Sequence, residues 1–202
     1  FAFGTLYGTS SVKRGLNVLE PTLSIIYAIC FFTILIAAAF VVYLYLWLKR
    51  QETVNKKIAE VSDLIKAGAA TFMNREYKIL AIFALVAAIA IFLFLPTPVW
   101  TGNIVKNISM TIAYVAGTVF SAIAGKIGIL VATLSNGRCA EGAQKGIKPA
   151  FLIGFRGGAV MGLAVVGFCI LGVMGVLMLT SDATILLGFS FGASSLALFA
   201  KA

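Results

Sequence analysis

Gly154-Phe-Arg-Gly-Gly-Ala-Val-Met-Gly-Leu163 places one arginine among four glycines at the point where a long uncharged stretch begins. No charged residue occurs from Gly157 to Ser181, so Arg156 lies at the threshold of a predicted membrane helix. On a helix, glycines that recur every four residues form a smooth ridge, which lets a second helix approach closely. Three glycines form this predicted ridge: Gly154, Gly158 and Gly162. The stretch therefore predicts a tightly packed protein with several membrane spans.

The composition places the chain among integral membrane proteins. It is 61% hydrophobic and 11% charged, and it contains no histidine, whereas a soluble domain averages about 45–50% apolar and about 25% charged residues. The net charge of +9 comes from 16 basic and 7 acidic residues. Because the basic residues cluster between apolar stretches, we interpret them as orienting the protein and contacting anionic membrane lipid, not nucleic acid.

Five apolar stretches predict an all-α protein with about five transmembrane helices. They cover about 21–48, 79–100, 107–134, 156–179 and 184–200, and about 20 residues are needed to cross a bilayer. We therefore divide the chain into an extracytoplasmic segment, 1–20, and a helical transmembrane domain, 21–202. Because the chain starts at Phe1 and stops at Ala202 directly after an apolar stretch, we expect a fragment that is truncated at its C-terminus.

Charge asymmetry predicts the orientation. Most basic residues fall in the connection 49–78, in the loop after the third stretch, or at Lys201, whereas only Lys13, Arg14 and Lys106 lie on the other side. The positive-inside tendency therefore places the N-terminus outside and Lys201 in the cytoplasm. Within 58–78, apolar residues recur at helical spacing and predict a helix that continues into the second span. Two alternatives stay open for this helix: it lies on the membrane surface or packs on other cytoplasmic segments.

No catalytic or metal site can be located in this chain. The seven acidic residues form no close pair inside a span, and the glycine-rich stretch lacks the lysine and hydroxyl of a phosphate loop. The three cysteines, Cys30, Cys139 and Cys169, are far apart and have no metal-ligand spacing, so we interpret them as small buried hydrophobic residues.

The fifth stretch, Gly188-Phe-Ser-Phe-Gly-Ala-Ser-Ser-Leu-Ala-Leu-Phe-Ala-Lys201, is more polar than the others. Gly188 and Gly192 lie four residues apart and predict a second site of helix packing. A serine in a membrane helix usually hydrogen-bonds a carbonyl of its own helix. The functional alternative is a polar wall for an ion path, in which Ser194 shares a face with Lys201, two turns further on.

Several segments, in order, resemble the membrane-integral, ion-pumping inorganic pyrophosphatases. The similar segments are Ile65-Lys-Ala-Gly-Ala-Ala-Thr-Phe-Met-Asn-Arg-Glu-Tyr-Lys78, Ser121-Ala-Ile-Ala-Gly-Lys-Ile-Gly-Ile-Leu-Val-Ala-Thr133, Asn136-Gly-Arg138, Gly154–Leu163 and Gly188–Lys201. The resemblance covers about residues 58–202. Two positions depart from the family pattern: Lys126 replaces a residue that is commonly aromatic or small, and Gly137 replaces the usual valine.

This resemblance implies an N-terminal piece of a sixteen-helix homodimeric protein that hydrolyses cytoplasmic pyrophosphate and exports H⁺ or Na⁺. It implies Mg²⁺ as cofactor, with K⁺ as a second candidate. The short loops of this chain favour a bacterial-type plasma membrane over a vacuole as its location. Lys201 falls on the basic residue at the bottom of the family's substrate funnel, which governs the gate, and Ser194 falls on a small polar position that lines the ion conduit. The catalytic residues and metal ligands are expected beyond Ala202, so the fragment alone would be inactive.

A different class of function also fits the composition and the glycine spacing. A secondary transporter subunit or a non-enzymatic membrane scaffold would equally need several spans and close helix packing. That alternative does not explain why the similar segments appear in the family's order.

Overall fold

The computed structural model describes the backbone of residues 4–100, 104–180 and 182–199, and the side chains of 24–100, 104–180 and 182–195. Within these ranges the regular structure is entirely helical, which confirms the predicted fold class. The helices are α1 Gly4–Lys49, α2 Lys56–Phe94, α3 Ile104–Lys145, α4 Ile147–Thr180 and α5 Ala183–Phe199.

Four helices in the described part of the chain are long and apolar enough to cross a membrane: Ser24–Lys49 of α1, and α2, α3 and α4 over their full lengths. The fifth, α5, is a shorter apolar helix. α2 has 39 residues and is therefore about 58 Å long, nearly twice the roughly 30 Å of a hydrocarbon core. As predicted, the charged segment around 58–78 and the second apolar stretch form one continuous helix, while α1 begins at Gly4, inside the predicted segment 1–20.

α2 ends at Phe94, six residues before the predicted end of the second span at Trp100. Leu95 is extended, with φ −125° and ψ 141°, because the ring of the following proline disfavours helical geometry in the residue before it. Pro96 and Pro98 thus turn the chain out of the helix and towards α3. At the other end, α3 and α4 are joined at Gly146, whose φ of 131° is a conformation that favours glycine.

α3 is the central helix, since it contacts α2, α4 and α5, while α1 packs chiefly on α4. Small residues allow these close approaches: a Cβ at Gly128 would lie 2.9 Å from the Met161 side chain of α4, and one at Gly137 would lie 2.6 Å from the Ser62 hydroxyl of α2. Larger apolar residues fill the spaces between these contacts, with Leu44, Leu48, Val131 and Val160 in one buried cluster. The end of this bundle that carries Lys49, Arg138 and Lys148 is called the basic end below.

Candidate functional site

Arg138 joins α1 to α3 at the basic end. Its Nε donates a hydrogen bond to the Gln51 carbonyl at 2.6 Å, and its Nη2 donates to the Lys49 carbonyl at 3.3 Å. Its Nη1 donates to the Leu134 carbonyl of its own helix at 2.9 Å. The last carbonyls of a helix have no partner within the helix, so the guanidinium neutralises the C-terminal end of α1.

Glu141, one turn beyond Arg138, fixes the beginning of α2. Its side chain is only 7% exposed, and its Oε2 accepts a hydrogen bond from the Asn55 N–H at 3.1 Å. The Asn55 side chain in turn accepts from the Lys57 N–H at 3.0 Å and forms the N-cap of α2. Arg138 and Glu141 therefore hold both ends of the connection between α1 and α2.

Arg156, the lone arginine of the glycine-rich stretch, lies beside α1. Its guanidinium carbon is 3.9 Å from the centre of the Trp47 ring, which is a cation–π contact. This local partner explains how a charge can sit at the threshold of an apolar helix. The residue is thus part of the contact between α1 and α4.

Polar contacts also fix the opposite end of the bundle. Asn107, fully buried, donates through its Nδ2 to the carbonyls of Phe92 at 2.9 Å and Thr97 at 2.7 Å, and so ties the end of α2 to the start of α3. Asp182 is the N-cap of α5: its Oδ1 accepts from the Thr184 N–H at 2.9 Å, and its Oδ2 lies 3.3 Å from the Lys106 amine. These contacts lower the pKa of Asp182, chiefly through the Thr184 N–H, and Lys106 adds a smaller effect.

The predicted glycine ridge of α4 does not make the close contact within this chain. Among the residues that the structure describes, nothing lies within 4 Å of a Cβ built at Gly158 or Gly162, and at Gly154 the nearest atom is the Cys139 sulfur at 3.7 Å. The close contact is made by Gly157, where an added Cβ would collide with the Ser135 side chain of α3. One position along a helix is a rotation of about 100°, so Gly158 and Gly162 miss the close contact that Gly157 makes, while Gly154 is in ordinary contact with Cys139 of α3. The role of the ridge in packing stays a prediction.

Gly188 and Gly192 lie on the face of α5 that meets α3. A Cβ at Gly188 would lie 2.5 Å from the Met110 carbonyl oxygen, and one at Gly192 would collide with the Tyr114 carbonyl oxygen. Gly117 of α3 is opposite, and an added Cβ there would collide with the Phe189 carbonyl oxygen. The backbones of the two helices are therefore in direct contact along this face.

Ser194 lies on a different face of α5, which is exposed in this chain. Ser190, four residues earlier, is exposed on the same face and was not singled out from the sequence. Ser195, by contrast, donates to the Gly192 carbonyl of its own helix at 3.2 Å, the ordinary behaviour of a serine in a membrane helix. Lys201 lies outside the described residues.

The described residues do not form a site for Mg²⁺. No group of three or more histidine, cysteine, aspartate or glutamate side chains comes together in the described ranges, and carboxylates are the protein ligands that Mg²⁺ uses. Asp63 pairs with Lys66 at 2.9 Å, and Glu141 accepts from Asn55. We therefore derive no step through a metal ion from these residues.

Contacts between residues distant in sequence were missed by sequence reasoning. Arg138 and Gln51 are separated by 87 residues, and Tyr77, whose hydroxyl donates to the Ala122 carbonyl at 2.8 Å, is 45 residues from its partner. The one available signal was the appearance of charged Arg138 and Glu141, three residues apart, just after an apolar span.

Of the two departures from the family pattern, Lys126 is exposed and Gly137 is the close contact with Ser62.

The sequence profile of a protein family described as inorganic H⁺ pyrophosphatase matches residues 35–202. The chain belongs to this family. The match includes the Arg138 junction, the α4 glycine ridge and the contact of α5 with α3, so these features lie within the part of the chain that the family shares. The resemblance identified from the sequence segments is confirmed.

Curated relatives within the pyrophosphatase family are named as ion pumps. A K⁺-insensitive pyrophosphate-energized proton pump of Methanosarcina mazei is 33% identical over 168 residues, which cover 83% of this chain and 24% of the relative. A proton pump of the same description from Caldanaerobacter subterraneus is 34% identical over 198 residues, covering 89% and 27%. A K⁺-stimulated pyrophosphate-energized sodium pump of Thermotoga maritima is 36% identical over 149 residues, covering 73% and 19%. The chain thus spans about a quarter of the length of the relatives it matches.

Proposed function

We propose that this chain is the N-terminal helical part of a membrane pump that couples hydrolysis of inorganic pyrophosphate to transport of H⁺ or Na⁺. The observation that carries the proposal is the match to the pyrophosphatase family over residues 35–202. The helices support it, because four of them are long and apolar enough to cross a membrane. A scaffold or a secondary transporter would share the helices, but neither accounts for the family match.

Within this proposal, the exposed face of α5 contributes to the ion path. Ser190 and Ser194 are one turn apart on that face, and their hydroxyls can each donate and accept a hydrogen bond. The other face of α5 holds the helix in place. There Gly188 and Gly192 let its backbone contact the backbone of α3. We assign Lys201, seven residues after Ser194 in the sequence, to the gate of the substrate funnel, where its ammonium would attract the anionic substrate or pair with a carboxylate.

The remaining features of the proposal come from the family and from charge. We assign Mg²⁺, with K⁺ as a second candidate, to ligands outside the described residues. The basic end is placed in the cytoplasm and the N-terminus outside, because most basic residues of the connections lie at that end. We further propose a homodimer in a bacterial-type plasma membrane.

Phosphate release by the purified full-length protein tests the hydrolytic part of the proposal. We expect release from pyrophosphate that requires Mg²⁺ and stops when a chelator is added. Serine-to-alanine changes at Ser190 and Ser194 should reduce ion transport per phosphate released more than they reduce hydrolysis, with Ser195→Ala as the matched control. A full-length protein that binds Mg²⁺ and pyrophosphate but releases no phosphate would contradict the assignment as a pump.

A further inference from the structure

Two neighbouring cavities near the basic end share one lysine, Lys66. The first, of about 670 Å³, lies between α1, α2, α3 and Val160 of α4, and is mainly apolar. The second, of about 410 Å³, is lined mainly by polar and charged residues, which come from the end of α1, the connection 50–55, α2 and α3. Lys66 lines both, so a charged group stands at the junction between an apolar space and a polar one.

The apolar cavity is a groove because the backbones of α1 and α2 lie apart: in the described residues no Cα atom of one helix comes within 8 Å of a Cα atom of the other. Its floor is formed by Val131 and Val160, which are 2% and 1% exposed. Its α2 wall has small side chains, Ala69 and Ala70, which leave room for a guest chain. From Lys66 to Met73 this wall extends two turns, or about 10 Å. A groove of this kind on a membrane-spanning bundle is open to an acyl chain.

The charges of the polar cavity favour an anion. Lys49, Lys66 and Arg138 line it together with Glu52 and Asp63, which leaves one net positive charge. Lys66 pairs with Asp63 at 2.9 Å, but the two side chains are 44% and 74% exposed, and an exposed pair holds its partners weakly. The Lys66 amine can therefore turn towards an anionic ligand.

Tyr45 and Lys49 indicate that this junction lies at the headgroup level of the membrane. Tyr45, which lines the groove and is 40% exposed, lies one turn before Lys49 at the end of α1. Tyrosine and lysine at a helix end are typical of the membrane–water interface. Basic residues there attract the anionic lipids of the adjacent leaflet.

We propose that the two cavities bind one anionic phospholipid, with its phosphate beside Lys66 and Lys49 and one acyl chain in the groove against Val131 and Ala70. A free phosphate or pyrophosphate would fill only the polar cavity and leave the apolar groove empty, so a lipid fits the pair of cavities better. The proposal does not depend on pump activity, because lipid binding is measured without substrate.

Native mass spectrometry of the delipidated full-length protein tests the proposal, with phosphatidylglycerol and phosphatidylcholine as probes. We expect one retained phosphatidylglycerol per chain, and Lys66→Gln should weaken its binding about fivefold. Ala70→Phe fills the groove and should weaken both lipids. The controls are Lys56→Gln and Ala67→Phe, which change exposed residues of α2 outside both cavities and should leave binding unchanged.

A variant with the opposite effect separates lipid binding from misfolding. Asp63→Asn removes the competing carboxylate, so it should strengthen phosphatidylglycerol binding about fivefold, whereas a folding defect would weaken it. Equal binding of the two lipids, full binding by Ala70→Phe, or displacement of the lipid by millimolar inorganic phosphate would each overturn the proposal. Full lipid binding by Ala70→Phe would mean that a helix from elsewhere in the protein occupies the groove.

Discussion

Gly192 is one of the glycines that bring the backbones of α3 and α5 into direct contact. In Gly192→Ala the added methyl group would meet the Tyr114 carbonyl oxygen, and a backbone atom cannot rotate away as a flexible side chain can. We expect the free energy of unfolding to fall by about 1–3 kcal/mol, measured as a lower melting temperature of the full-length protein in detergent.

The matched control for this change is Gly68→Ala in α2, where nothing lies within 4 Å of the added Cβ. Alanine has a higher helix propensity than glycine, so this variant should gain up to about 1 kcal/mol. Equal loss of stability in the two variants would show that the α3–α5 contact is not as close as described.

The Asp182 carboxylate should make the stability of the protein depend on pH. Its folded-state pKa is lowered by the Thr184 N–H first and by Lys106 second. Its contribution to stability is therefore fully present above the unfolded-state pKa and is lost as the pH falls through the folded-state pKa. The melting-temperature difference between the wild type and Asp182→Asn should shrink as the pH falls from about 6 to about 3.

Lys106→Gln provides the control for that titration. Because the Thr184 N–H is the larger cause of the lowered pKa, Lys106→Gln should keep most of the pH dependence. A difference between wild type and Asp182→Asn that grows on acidification would contradict the assigned role of the carboxylate as a cap of α5.

At the scale of elements, Arg138 holds the connection between α1 and α2. In Arg138→Lys the planar group that donates to Gln51, Lys49 and Leu134 is replaced by a single amine. We expect a loss of about 2 kcal/mol of local stability, which corresponds to about thirtyfold faster trypsin cleavage at Lys49 or Arg50. Arg75→Lys, an exposed change on α2, should be cleaved at the wild-type rate. Equal cleavage rates for Arg138→Lys and Arg75→Lys would contradict the role of Arg138 in holding the connection.

The helices could be predicted from hydropathy, but their rotations could not. The apolar stretches identify α1 to α5 because about 20 apolar residues have no stable place outside a bilayer, and Pro96 and Pro98 mark the region where α2 ends. On α4, however, Gly157 and the ridge residue Gly158 are adjacent in sequence and about 100° apart on the helix. Which of them meets α3 is decided by Ser135 of the partner helix, information that α4's own sequence does not contain.

Only those residues of the candidate site that a local sequence pattern marks could be predicted. Ser194 was identified because its position matches a family segment, and its exposed neighbour Ser190 needed the helix geometry. Two of the three partners of Arg138 are 87 and 89 residues away, so no spacing rule could have found them.

At the scale of the whole molecule, Gly158 and Gly162 of the α4 glycine ridge are exposed in this bundle and are predicted contacts for the rest of the full-length protein. Gly158→Leu should then lower the free energy of unfolding of the full-length protein by about 1–3 kcal/mol. Gly167→Leu is the matched control, because nothing lies within 4 Å of its added Cβ either, and it lies off the ridge. A Gly158→Leu variant that is as stable as the wild type would contradict the predicted role of the ridge in helix packing.

The central claim is that the chain belongs to a pump that couples pyrophosphate hydrolysis to ion transport. The most direct test measures phosphate release and H⁺ or Na⁺ accumulation together, in sealed vesicles that contain the full-length protein. The account predicts that both signals require pyrophosphate and Mg²⁺, and that an ionophore abolishes ion accumulation while hydrolysis continues. Ion or solute transport without pyrophosphate, or hydrolysis that never produces an ion gradient, would contradict it.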